Sequence, residues 1–241
     1  AQQSEQEIDS LSANLNDTTA GATIVTLNEQ DHTYVDITNG EIYTSVTTAI
    51  KGTLKNQEDV QLNIDIGNDV DALLDGIVAG LPLADVMPKM NVINEETAKD
   101  VYTTLDSVVK MIAPEGSVVL SQVVLFDEAS KMAGTADLIV IDKNGFIKVV
   151  DLKTTKNSLL TPTIKDTAFG RKQSKLYDKE WDLADDSLLK QAGIDRLSTR
   201  QQHNLQVNIY RRMLQNMGYK VYQGDYAAST FHMLGGIVTK T

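Results

Sequence analysis

The chain contains no cysteine. Disulfides and thiolate metal sites are therefore excluded, which fits a reducing compartment, and the expected location is cytoplasmic. No apolar run approaches the roughly 20 residues needed to cross a bilayer, so no membrane partner is expected. Residues 1–19 are polar and lack a basic-then-apolar pattern, so they do not read as a signal peptide. Histidine is scarce, 3 in all, with no second one at ligand spacing, which argues against a histidine-built metal site. Basic residues are scarce up to position 142, where 6 Lys/Arg face 24 Asp/Glu. Residues 143–212 reverse the balance, with 14 Lys/Arg against 8 Asp/Glu, inside a chain whose net charge is -11. Phosphate binding follows local potential rather than the total. By itself, though, the split does not choose between a polyanion partner and two differently charged solvated surfaces.

With 241 residues and 41% hydrophobic side chains, the chain can build one large domain or one domain with an elaborated flank. Residues 1–20 read as a flexible arm. Between 21 and 116, β-patterned residues (Val25, Tyr34, Val35, Tyr43) precede helices, with a hairpin turn at Asn39-Gly40. A short helix capped by Ser45 or Thr47 is expected next. One helix is expected over about 60–79, with Gly67 near its start, and another from Asn94, its N-cap, to Ile112. From 117 to 241 the pattern is strand (117–126), strand (134–141), hairpin turn at Asn144-Gly145, and strand (146–152). An irregular basic stretch (154–195) follows, then a helix (198–217) and a last strand beginning at Tyr219–Tyr222. The strands are near-continuous in apolar residues, which implies a sheet covered on both faces. The fold class is α/β.

Two strand-borne carboxylates and a lysine carry the chemistry. Gly134-Thr135-Ala136-Asp137 lies on one strand, and Asp151-Leu152-Lys153 ends the next. Strand alternation turns Asp151 and Lys153 to one side and Leu152 to the other, with the Leu152 carbonyl still free to face a metal. Asp137 and Asp151 can converge on one hard cation, for which Mg²⁺ (or Mn²⁺) suits oxygen donors and water-filled remaining positions. Lys153 then orients the attacking water or neutralises developing charge. An Asp-x-Lys at a strand end is common on its own. The weight comes from its place behind Gly-Thr-Ala-Asp and ahead of a helix carrying Gln206 and Tyr210, four residues apart on one face with His203 a turn earlier.

This succession of Gly134/Asp137, Asp151/Lys153 and Gln206/Tyr210 resembles the PD-(D/E)XK nuclease superfamily, in particular its RecB-like exonuclease branch of phages and bacteria, over about residues 117–222. The resemblance implies a restriction-endonuclease-like αβββαβ core and metal-dependent hydrolysis of DNA in recombination, repair or processing, with a helicase or recombination protein as a further partner. It implies that Asp137, Asp151 and Lys153 are catalytic. Asp137, Asp151, the Leu152 carbonyl, Asp71 and Gln122 would form the metal shell. Gln206 and Tyr210 would contact substrate, with His203 exposed or facing DNA. The basic run that includes Lys172 would grip phosphates, and Phe169, Tyr177 or Trp181 would stack on bases. Ser45-Val46-Thr47 resembles the Ser-x-Thr that often precedes the first helix of relatives. Gln122 stands where many relatives carry Glu. Three readings follow from that departure: Glu128 or Asp127 substitutes, Asp71 supplies the missing charge, or the site is weakened and the chain serves as a nucleic-acid-binding or structural module.

Overall fold

The computed structural model describes residues 25–28, 30–53, 58–154, 162–167, 170–175, 178–222 and 228–233. Strands β1 (Val25–Asn28), β2 (Thr33–Asp36) and β3 (Ile42–Ser45) form an antiparallel meander. Its second turn is closed by Asp36, whose carboxylate accepts from Thr38 N at 2.8 Å, and by Gly40 at φ 75°. Ser45 ends β3 and caps α1 (Val46–Lys51), its hydroxyl accepting from Thr48 N at 3.1 Å. Of the two candidate caps, Ser45 is the one used.

Helix α2 runs over Glu58–Val78. Gly67 is thus a mid-helix residue and not near the start. A short α3 (Leu83–Val86) and a 3₁₀ turn lead to α4 (Glu95–Ile112), where Asn94 accepts from Thr97 N at 2.8 Å and Glu95 and Glu96 occupy the positive end of the helix dipole. The loop between them is pinned by Asp69, fully buried on α2, which accepts from the backbone N–H groups of Asn91, Val92 and Ile93, each at 2.8 Å.

Strands β4 (Val118–Asp127), β5 (Met132–Ile141) and β6 (Ile147–Thr154) form the centre of a seven-stranded mixed sheet. β4 lies antiparallel along one edge of β5. On the other edge, β3 pairs in parallel with the start of β5 and β6 pairs antiparallel with its end. Farther along are β7 (Pro162–Thr167), β8 (Gly170–Lys175), β9 (Glu180–Asp182), α5 (Leu188–Gln191), β10 (Arg196–Ser198), α6 (Thr199–Asn216) and β11 (Ala228–Met233). Residues 162–167 and 170–175 pair as antiparallel strands where the sequence reads as irregular. The segment is mostly charged and polar, so its sequence carries no apolar alternation. The last strand also differs from expectation. Residues 219–222 contribute only a bridge from Val221 to Ile147, and the strand parallel to β6 is β11. Parallel pairing is non-local, and Ala-Ser-Thr-Phe-His-Met carries little aliphatic signal.

Both faces of the sheet are covered. Ile139, Ile141, Ile147 and Val149 pack with Val207, Met213 and Leu214 of α6 and with Val46 and Ile50 of α1. Leu138, Val150 and Leu152 pack with Val70, Leu73 and Leu74 of α2 and Val101 and Leu105 of α4. A capping box fixes the start of α6: Ser198 accepts from Gln201 N at 3.2 Å, and Gln201 Oε1 accepts from Ser198 N at 2.7 Å. Among the described residues, no helix is long and apolar enough to cross a membrane.

Candidate functional site

The site opens where β5 and β6 part. Their ladder ends at Leu138 opposite Val150, and the next rung would set Asp137 against Asp151. Two carboxylates at that separation repel, and the ladder stops before them. Asp137 instead reaches across the gap and accepts from the Leu152 backbone N–H at 2.6 Å. A strand residue turns its N–H and C=O to the same neighbour, so the Leu152 carbonyl faces Asp137 as well.

The β4–β5 ladder also skips a rung here. Pairing passes from Ser121 opposite Leu138 to Val123 opposite Ala136, with Gln122 and Asp137 unpaired between them. Gln122 has φ 50°, in the left-handed region that non-glycine residues rarely occupy. Leu120 and Val123, three residues apart, both pack on the α6 side, as do Ala136 and Ile139. A flat strand would send such pairs to opposite faces. The distortion at Gln122 and Asp137 therefore reverses the alternation of both strands at one point.

Asp151 is 2% exposed. Its Oδ2 stands 2.9 Å from Lys153 Nζ, an ion pair whose direction is not that of a hydrogen bond, since the same oxygen has no hydrogen-bond partner. Lys153 donates to Gln206 Oε1 at 3.2 Å, and Gln206 Nε2 donates to Tyr210 OH at 3.1 Å. Helix α6 thus holds the lysine through its glutamine and fixes the glutamine through its tyrosine. Tyr210 is pushed upward in pKa by burial and remains a neutral phenol. Tyr34 adds a hydroxyl contact to Thr135 at 3.0 Å, beside Asp137.

Asp71 is not on a solvated helix face. It turns toward this site, and burial, with Asp75 one turn away as the second cause, pushes its pKa up to about 7. The Gln122 amide pulls it partly back, although Gln122 Nε2 makes no hydrogen bond of normal geometry. Burial also raises Asp137 well above the usual carboxylate range, with Asp151 and then Asp71 adding to the shift. Asp71, Asp137 and Asp151 are therefore close enough to feel one another. Even so, among the described residues no group of three or more His, Asp or Glu side chains is gathered at ligand distances.

Other expected residues fall elsewhere. His203 is 7% exposed, on the inner face of α6 with Gln206 and Tyr210, and is not an exposed residue. Glu128 sits in the exposed β4–β5 turn. Asp127 is engaged with Ser130 N at 2.9 Å and Asn216 Nδ2 at 3.3 Å, so neither of the two joins the site. The Lys172 backbone is on β8 opposite Lys165, but its side chain, Phe169 and Tyr177 lie outside the described residues. Trp181 packs partly against the α6-side core. Sequence reasoning missed Asp75 and Lys51. The four-residue spacing from Asp71 could have pointed to Asp75; a lone lysine in the last turn of α1 gives no such signal. No family model, curated protein or solved structure matches this chain.

Proposed function

We infer that this chain is a metal-dependent deoxyribonuclease of the PD-(D/E)XK type. The observation that carries the inference is the meeting, one rung past the end of the β5–β6 ladder, of Asp137, Asp151 and Lys153 with Gln206 of α6. If β7–β10 and α5 are taken as an insertion, the succession of helix, three antiparallel strands, helix and parallel strand is the order expected of a restriction-endonuclease-like core and supports the same reading.

The residues fit a divalent cation. Burial and mutual repulsion disfavour charge on Asp71 and Asp137, and Asp151 Oδ2 has no hydrogen bond. A bound cation would offset the cost of ionising them, and hard oxygen donors suit Mg²⁺ or Mn²⁺. Asp137, Asp151 and the Leu152 carbonyl would hold it, with Asp71 at the margin in place of the charge that Gln122 lacks. A bound cation supplies phosphate polarisation and a more acidic water. Lys153, held between Asp151 and Gln206, places a fixed positive charge where negative charge grows on the phosphate oxygens. Tyr210 keeps Gln206 oriented as an acceptor toward the lysine. The basic 143–212 segment gives the phosphate backbone a favourable potential within an acidic chain.

The test is incubation of linear duplex and single-stranded DNA with Mn²⁺ or Mg²⁺, comparing the protein with Asp151→Ala. Metal-dependent cleavage that vanishes in the variant is expected. Gln122, neutral and strained, favours a second reading: a DNA-binding or structural module without turnover. Binding of DNA by both proteins with cleavage by neither would establish that reading and end the first.

A further inference from the structure

A second concave feature lies beside the site, between the end of α1 and β9. It has a volume of about 540 Å³ and is walled by Lys51, Thr53, Trp181 and residues 182–186. That size falls within the ~300–1,000 Å³ of small-molecule sites. The wall is built. Ala184 N donates to the Lys51 carbonyl at 3.2 Å, and Ser187 Oγ donates to the Ile50 carbonyl at 2.6 Å. The 184–187 loop thereby closes the C-terminus of α1. Gly52, at φ 75°, permits this approach, because a Cβ there would collide with Asp186 and Ala184.

The charges of the cavity are unevenly satisfied. Asp182 pairs with Arg196 at 2.9 Å and Asp185 with Lys190 at 2.9 Å, while Asp186 accepts from Thr53 N at 2.9 Å. Lys51 is partly buried, and among the described residues no carboxylate stands against its ammonium group. Burial first, and the charge of Lys153 second, lower its pKa. A cation so placed gains from an anion that desolvates with it. Trp181, whose cross-strand partner in β10 is Leu197, supplies an aromatic wall.

We propose that this cavity is a nucleotide subsite, in which Lys51 binds one phosphate and the base of that nucleotide stacks on Trp181. The proposal rests on the nuclease reading for its biological sense but not for its test. The engaged carboxylates at the rim disfavour a second phosphate close by, so the subsite takes one nucleotide of a strand. The ammonium holds the phosphate as a point charge, and the indole accepts any base.

Trp181 is the chain's single tryptophan, so no other indole contributes to the emission that follows this cavity. The probes are deoxyadenosine monophosphate, inorganic phosphate and deoxyadenosine, titrated without divalent metal into the protein and into Asp151→Asn. The nucleotide should quench emission saturably in both proteins. Phosphate should compete for the site without quenching by stacking, and the nucleoside should bind at least about tenfold more weakly. Lys51→Ala should weaken the nucleotide by about tenfold or more, whereas Lys51→Arg should stay within about threefold. Should Lys51→Ala unfold, amine labelling of the unmodified protein replaces it: bound nucleotide should shield Lys51 from acylation. Absence of saturable quenching, equal affinity in Lys51→Ala, or unshielded Lys51 overturns the proposal even if the protein cuts DNA. Saturable, Lys51-dependent quenching upholds it even if no DNA is cut.

Discussion

The ring of Tyr210 lies directly on Gly134: a Cβ at that glycine would stand 2.5 Å from Tyr210 Cε1 and 2.6 Å from its hydroxyl oxygen. Glycine is needed there for approach, not for an unusual backbone angle. Gly134→Ala must displace a ring that is 2% exposed, and a loss of about 1–3 kcal/mol in urea unfolding is expected. Combined with Tyr210→Leu, the loss should be less than additive. Additivity within about 0.5 kcal/mol would sink the packing explanation.

Asp69 should be among the most sensitive polar positions for stability. Its carboxylate alone satisfies the N–H groups of Asn91, Val92 and Ile93. Each buried donor left unpaired costs about 1–3 kcal/mol, so Asp69→Ala should lose more than about 3 kcal/mol. Asp69→Asn, which keeps one acceptor oxygen, should lose less. Equal losses in the two variants would remove the acceptor count as the cause.

Acidity should stabilise the metal-free protein through Asp71. A carboxyl raised to about 7 when folded binds its proton more tightly than in the unfolded chain, where the value is near 3.9. Its contribution is therefore full below about pH 4 and is lost as pH rises through about 7. Calorimetry in chelator should show a Tm difference between the protein and Asp71→Asn that changes across this window, with carboxylates remote from Asp71 cancelling in the comparison. Mg²⁺ or Mn²⁺ competes with the proton and should raise Tm more at pH 8 than at pH 6. A pH-independent difference would mean that Asp71 does not titrate there.

Lys153 and Gln206 should separate binding from turnover. Lys153→Met removes the charge facing the phosphate and should lower cleavage by about 10²–10³ while DNA binding changes little. Gln206→Leu leaves the lysine charged but untethered, so a smaller loss is expected. Cleavage assays beside a gel-shift titration check both, and loss of binding in parallel with activity would place Lys153 in substrate affinity instead.

Much of this arrangement was legible because it is local. Asn94 through Ile112 carried its cap, its acidic first turn and its apolar stripe in the sequence, and α4 spans those residues. The Asp137, Asp151 and Lys153 positions followed from alternation along two strands joined by a tight turn. The missed parts depend on contacts distant in the chain. Nothing in residues 228–233 says that they pair with 149–154. Asp71 was already a candidate in the sequence, but its place beside Gln122 rests on α2 lying against β4, which no local pattern encodes. The left-handed backbone at Gln122 was invisible because glutamine gives no hint of positive φ.

That backbone reversal has a consequence for how the chain finds its fold. An ordinary antiparallel pair can slide by two residues and still present its apolar side chains to the same faces, which makes such misalignment a recurrent trap. In β4 and β5 the alternation changes phase at Gln122 and Asp137, on the same rung. Sliding either strand by two would leave a stretch between the displaced reversals whose residues face the wrong layer. The distortion therefore acts as a register lock, admitting one alignment of the β4–β5 ladder, and that alignment is the one that sets Gln122 beside Asp137.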